Sequence, residues 1–170
     1  YYGAMTRNIV VIAHNIRSAH NIGSLLRTAD GLGVEHVYLT GYSPFPLSLN
    51  ETRLPHIAQR IDRLIAKTAL GAEKHVPWQH TKDVAATIAK LKHDGYTVCA
   101  LEQTDTATPL PDFTVPTKVA LILDNEVNGI DEAIIGLVDS CLVIPMVGTK
   151  ESYNVVQAAA MALYHCKFMA

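Results

Sequence analysis

Ile144-Pro145-Met146-Val147-Gly148-Thr149-Lys150-Glu151-Ser152-Tyr153-Asn154 runs straight into Val155-Val156-Gln157-Ala158-Ala159-Ala160-Met161-Ala162-Leu163-Tyr164. A buried strand ends, a turn follows, and a polar Ser-x-Asn leads into a helix with almost no charge. Surface helices of soluble proteins carry a polar face. This helix has so little polar surface that it is expected to be packed on most sides. The first turn of a helix leaves backbone N–H groups without partners inside the helix. Ser152 and Asn154 are residue types that cap such groups. The head of this helix is therefore a place where polar groups gather and a ligand can be held.

Upstream, apolar runs alternate with helical patterns. Residues 8–13, 35–40, 96–101, 119–123 and 141–144 read as strands. From Asn21, the apolar residues Ile22, Leu25, Leu26, Ala29 and Leu32 recur at helical spacing, and Gly31 and Gly33 end that helix. Residues 14–20 read as a polar loop before it. Residues 54–70 form an amphipathic, basic helix, 84–91 a helix with its lysines outward, and 131–138 a short one. Residues 76–78 read as a short extended segment. Residues 104–116 hold three prolines and read as a loop. Solid apolar strands alternating with helices imply an α/β fold, a parallel sheet with helices on both faces. No G-x-G-x-x-G follows the first strand, so the dinucleotide fingerprint is missing.

A length of 170 residues suits one domain with a proper core. Residues 1–4, ahead of Met5, are read as vector-derived, leaving a single domain over 5–170. Hydrophobic residues make up 49% and the mean hydropathy is +0.15, the values of a well-buried globular chain. The apolar runs are too short to span a bilayer, and no secretory signal pattern opens the chain. Cys99, Cys141 and Cys166 are far apart and form no CxxC pair, so they read as buried thiols in a reducing cytoplasm. The histidines lack metal-ligand spacing, and no metal is expected. A net charge of −2 argues against a dedicated nucleic-acid-binding domain. It leaves room for a local patch, because Arg17, Arg27, Arg53, Arg60, Arg63 and Lys67 bias the first half toward positive charge. Such charges equally well solvate a helix face.

Three segments together resemble the motifs of the SpoU/TrmH family of RNA ribose 2'-O-methyltransferases, in the SPOUT superfamily. They are Asn21-Ile22-Gly23-Ser24-Leu25-Leu26-Arg27-Thr28-Ala29, Leu123-Asp124-Asn125-Glu126-Val127-Asn128-Gly129-Ile130, and Ile144-Pro145-Met146 with Ser152-Tyr153-Asn154. The resemblance extends from about Asn8 to Tyr164. It implies that the C-terminal segment threads a loop to form a deep trefoil knot, which general rules of chain topology would not predict. It also implies that S-adenosylmethionine binds in the knot loops. The candidate donor-binding residues are then Leu101, Glu102, Gln103, Asp124, Asn125, Gly129, Ile144, Met146, Ser152, Tyr153 and Asn154. Gly129 reads as a position needing positive φ or a close approach. Two positions depart from the family pattern: Asp124 stands where Gly is frequent, and Tyr153 where Leu is frequent.

The resemblance makes Asn21, Arg27, Glu126, Ser152 and Asn154 the candidate catalytic set. Methyl transfer to a ribose needs the 2'-hydroxyl aligned with the S–CH3 bond, and its developing negative charge stabilised or its proton removed. Arg27 follows Asn21 at a spacing expected to bring both to one side of a helix. It is expected either to clamp an RNA phosphate and steady the alkoxide, or to act as the base. Glu126 is expected to shape the site and support the first-motif loop. Ser152 and Asn154 are expected to cap the last helix and point polar atoms at donor or ribose. Arg17, Arg27 and Arg53 are the candidates for RNA contact, and the expected substrate is tRNA or rRNA. A homodimer is expected, with Arg27 acting across it and the apolar last helix at the interface; a buried monomer core is the competing explanation for that helix. Two other functions compete: a weakened donor- and RNA-binding scaffold, motivated by Asp124, and a thiol-dependent hydrolase, for which no cysteine sits on a recognisable nucleophile turn beside a His.

Overall fold

The computed structural model describes residues 7–124 and 129–169. Among the described residues, seven strands form one sheet: β1 (Asn8–His14), β2 (His36–Thr40), β3 (Trp78–Thr81), β4 (Thr97–Leu101), β5 (Thr108–Pro109), β6 (Lys118–Leu123) and β7 (Ser140–Val143). Their order is β3-β2-β1-β6-β4-β7-β5, and every pairing is parallel. The helices are α1 (Ala19–Gly31), α2 (Pro55–Ala69), α3 (Val84–His93), α4 (Glu132–Ile135) and α5 (Val155–Phe168).

β1 shows why the central strands read as unbroken apolar runs. Ile9, Val11 and Ala13 enter a core shared with Ile22 and Leu26 of α1, Ile65 of α2, and Ala159 and Leu163 of α5. Val10 and Ile12 point the other way, against Val84, Ile88 and Leu91 of α3 and Ile134 of α4. Alternate residues of a strand face opposite sides, so both sides must be apolar when helices cover both. Each fully buried Ile or Leu contributes on the order of 2 kcal/mol. Gly23 lets α1 and α2 approach closely, since a Cβ there would collide with Thr68 Oγ1 and the Ile65 carbonyl. Thr68 Oγ1 donates to the His20 carbonyl at 2.8 Å and ties the two helices. The Arg7 guanidinium donates to the carbonyls of Cys166 and Met169, fixing the end of α5 beside the start of β1.

Four local expectations change. Helix α1 begins at Ala19, because Ser18 caps it by accepting from the Asn21 N–H at 3.2 Å. The extended segment at 76–78 leads into an edge strand, β3. The proline-containing loop supplies the two-residue β5 and a short 3-10 turn, Leu110–Asp112. Helix α5 is covered unevenly: Val155, Ala159, Ala162, Leu163 and Cys166 form one buried stripe, its flanks are half-buried, and Gln157, Tyr164 and Phe168 are exposed. Tyr164 and Phe168 lie outside it, 55% and 42% exposed, with ring centroids 5.0 Å apart. The buried face of α5 meets the sheet and α1, the Leu110–Asp112 turn also touches the helix, and the Tyr164 and Phe168 rings stay exposed.

Candidate active site

Parallel strands place all their C-terminal ends on one edge of the sheet, where loops to the helices can build a site. Beyond the ends of β4, β6 and β7 lies a cleft with about 790 Å³ of open space, counting its mouth. Leu101, Glu102 and Gln103 enter it from β4, and Leu123, Asp124 and Gly129 from around β6. Leu142, Val143, Ile144 and Met146 come from β7, and Glu151, Ser152, Tyr153, Val155 and Ala158 from the approach to α5. The walls are largely apolar and the rim carries carboxylates and hydroxyls, the usual make-up of a small-molecule site.

Of the residues expected around a methyl donor, Asn154 does not line the cleft, and Asn125 lies outside the described residues, as does Glu126 of the catalytic set. Leu123, Leu142, Val143, Glu151, Val155 and Ala158 line the cleft without having been expected there. Leu123, Leu142 and Val143 are ordinary apolar residues at strand ends, and of the six only Leu123 falls within a quoted motif segment.

Glu102 holds the cleft together. Its Oε2 accepts from the Ile130 N–H at 2.8 Å, and its Oε1 from the Gln103 N–H at 2.9 Å. The Glu102 N–H donates to the Leu142 carbonyl at 3.0 Å. Its carboxylate therefore fixes the far end of the β6–α4 loop to the end of β4. Gly129 has φ +67°, and a Cβ on it would stand 2.8 Å from Glu102 Oε2. Both reasons for a glycine, positive φ and close approach, hold at this position.

Asn154 and Ser152 divide the head of α5 between them. Asn154 is the cap, its Oδ1 accepting from the Val156 N–H at 2.9 Å. Ser152 stands two residues earlier, exposed, on the wall of the cleft. The two side chains were both expected as caps; an extended Asn154 leaves Ser152 out of reach of the helix and turned to the ligand space.

Asn21 and Arg27 do not share a side. Asn21 is half-buried and meets Val155 and Val156 at the head of α5, in a small crevice with Ile16 and Leu25. Arg27 is exposed, lies outside the cleft and has no ion pair among the described residues. Six residues of α-helix rotate the chain by about 600°, which leaves the two about 120° apart and roughly 9 Å along the axis.

Arg17 and Arg53 line a different groove, beyond β2 and β3. Arg53 is engaged internally: it pairs with Glu51 at 2.6 Å and donates to the carbonyls of Phe45 and Pro46. That hydrogen bond from Arg53 is the main reason Glu51 is held down at about 2, below the usual carboxylate range. Arg17 is exposed.

The cysteines are free and buried. Burial raises the Cys99 thiol and pushes the Cys166 thiol up to about 12. Neither is a thiolate at neutral pH, which removes both as nucleophiles. Among the described residues, no cluster of His, Cys, Asp or Glu is placed to hold a metal ion, and no helix is long and apolar enough to cross a membrane.

A model of the SpoU rRNA Methylase family matches residues 8–164. A provisionally assigned TrmH family tRNA/rRNA methyltransferase of Staphylococcus haemolyticus is 32% identical over 155 residues, which is 91% of this chain and 56% of that protein. The chain thus spans little more than half the length of this relative. The A. aeolicus TrmH/SpoU tRNA modifying enzyme superposes with a TM-score of 0.77 at 22% identity, over 95% of this chain and 75% of that one. The SpoU methyltransferase AviRb from Streptomyces viridochromogenes, in complex with AdoMet, superposes with a TM-score of 0.78 at 20% identity, over 97% and 61%. At these identities the two solved structures establish a shared fold.

Proposed function

Since the chain belongs to the SpoU methylase family, we propose that it transfers a methyl group from S-adenosylmethionine to a ribose 2'-hydroxyl of tRNA or rRNA. The observation that carries this reading is the convergence on one cleft of three segments far apart in sequence: 101–103, the Asp124 and Gly129 ends of one motif, and 144–153. The AdoMet complex of AviRb, which shares the fold, supports the choice of donor.

The cleft fits such a donor. Leu123, Leu142, Ile144 and Met146 offer apolar cover for an adenine, and the Gln103, Asp124 and Ser152 rim offers polar atoms. When bound, S-adenosylmethionine supplies a methyl group activated on a sulfonium. Glu102 keeps the β6–α4 loop in place, and Asn154 fixes the head of α5 against which Asn21 packs. Arg27 holds an RNA phosphate in two-pronged fashion and steadies the developing alkoxide. A guanidinium is a cationic donor with no acceptor site, which makes the general-base role the harder one. In this reading Asn125 contributes to donor binding and Glu126 belongs to the catalytic set.

Arg27 lies outside its own cleft, so it acts in the site of a second copy. The exposed Tyr164 and Phe168 on α5, the neighbour of α1, support a hydrophobic dimer interface there. The knotted path of the segment after β7 and a reducing, cytoplasmic setting belong to the same reading. Asp124 on the cleft wall supports one rival, a scaffold that binds donor weakly and does not turn over. Calorimetric titration of S-adenosylmethionine separates them. Micromolar binding by the wild type supports the enzyme; undetectable binding restored by Asp124→Gly supports the scaffold.

A further inference from the structure

The groove that holds Arg17 has about 1340 Å³ of open space between the β1–α1 loop, the loop after β2, and α2. Arg17, His56 and Arg60 are exposed along it, and Phe45 and His80 line it. The Arg53 guanidinium carbon lies 3.6 Å from the Phe45 ring centroid, and the His80 ring stacks on Phe45 at 4.0 Å with planes 22° apart. Two planar groups this close cannot share a face, so Phe45 sits between them. Glu51 and two loop carbonyls hold Arg53, and the His80 Nε2 bonds to the Gly41 carbonyl at 3.3 Å, so the stack is anchored at both ends. The local acids are already engaged: Glu51 by Arg53, and Asp62 by the Leu47 N–H. Arg17 and Arg60 have no ion pair among the described residues. A chain of net charge −2 therefore concentrates unneutralised cations beside an aromatic stack.

The groove and the donor cleft share the C-terminal edge of the sheet. From β2 to β4 the order runs β2-β1-β6-β4, three inter-strand spacings or roughly 14 Å. Asn21 follows Arg17 on the segment after β1, between the two. This distance is spanned by a few nucleotides of an extended strand.

We propose that this groove binds an unpaired stretch of RNA beside the methylated nucleotide, with Arg17 and Arg60 on its phosphates and the Arg53–Phe45–His80 stack against a base. Cations beside stacked rings are the combination that tracks a single strand without reading its sequence. The identity of the polyanion rests on the RNA methyltransferase reading above; the groove's chemistry does not.

The test is fluorescence anisotropy of a labelled tRNA transcript and a single-stranded oligoribonucleotide across a salt series. The proteins are wild type, Arg17→Ala, Arg60→Ala, the double variant, and Arg63→Ala on α2 outside the groove. The double variant is expected to lose about tenfold or more in affinity for both RNAs, and the dependence of log Kd on log salt to flatten by about 1 per arginine removed. Arg63→Ala is expected to stay within about twofold of wild type, and calorimetric donor affinity to be unchanged throughout. An unchanged Kd and salt slope in the double variant, or no RNA binding by wild type, overturns the proposal. RNA binding that depends on Arg17 and Arg60, in a protein that transfers no methyl, keeps the groove and removes the reaction.

Discussion

Glu102 and Gly129 meet across the mouth of the cleft: the carboxylate oxygen that accepts the Ile130 N–H at 2.8 Å stands where a Cβ on Gly129 would come within 2.8 Å of it. Gly129→Ala therefore carries two costs, a left-handed backbone worth about 1–2 kcal/mol and displacement of Glu102. The loop at the end of β6 should move, and S-adenosylmethionine should bind about tenfold more weakly, which is 1.4 kcal/mol. Calorimetry checks this; unchanged donor affinity would show that the contact does not shape the site.

Asn154 has a structural task and a proposed chemical one, and two substitutions separate them. Asn154→Ala should cost about 1 kcal/mol of stability through loss of the α5 cap. Asn154→Ser keeps a capping oxygen and should restore the melting temperature. If Asn154 also serves the reaction, both variants lose methyl transfer. Recovery of activity along with stability in Asn154→Ser would reduce Asn154 to a cap.

Arg27→Ala should keep donor affinity, since Arg27 lies outside its own cleft, and should lose methyl transfer by about a hundredfold or more, the scale of removing one transition-state charge donor. Mixing Arg27→Ala protein with a cleft-defective Gly129→Ala protein tests the action across a dimer. Partial recovery of activity in the mixture supports it, and no recovery from mixed dimers argues that each copy uses its own arginine.

Stability should fall in mild acid. Asn15 Oδ1 accepts from the Tyr42 N–H at 3.2 Å, which fixes the amide so that its Nδ2 donates to His14 Nε2 at 2.9 Å. The ring must then be neutral, with Nδ1 donating to Thr40 Oγ1 at 2.9 Å. Burial lowers the His14 pKa from 6.5, and lowers His36 and His80 too. A histidine with a folded pKa below its unfolded value binds more protons when unfolded, so stability is lost as pH falls below about 6.5. The urea midpoint should be lower at pH 5.5 than at pH 7.5, and His14→Gln should shrink the difference. An equal gap in His14→Gln would place the effect elsewhere.

Much of the architecture was legible in the residues. The solid apolar character of 119–123 follows from burial on both faces, and the parallel sheet follows from that. The cleft was legible through the second and third motif segments and residues 101–103, because each follows a strand on the same edge. Three features were missed. The cap at Asn154 rather than Ser152 depends on where the chain turns helical, which composition does not fix. The separation of Asn21 from Arg27 was overlooked in the spacing, since six residues of the helix read from Asn21 already rotate the chain by about 600°. The α5 stripe depends on which neighbours the fold supplies, and an apolar helix reads the same whether its second face meets the core or another chain.

The most direct measurement is methyl transfer from labelled S-adenosylmethionine into unmodified tRNA and rRNA pools, followed by alkaline hydrolysis and nucleoside mass analysis. Alkaline cleavage of RNA uses the 2'-hydroxyl, so a ribose methyl blocks it. The account predicts label in alkali-resistant dinucleotides carrying a 2'-O-methyl nucleoside, lost in Arg27→Ala. Label on a base, or none in either pool from folded protein that binds donor, would contradict it.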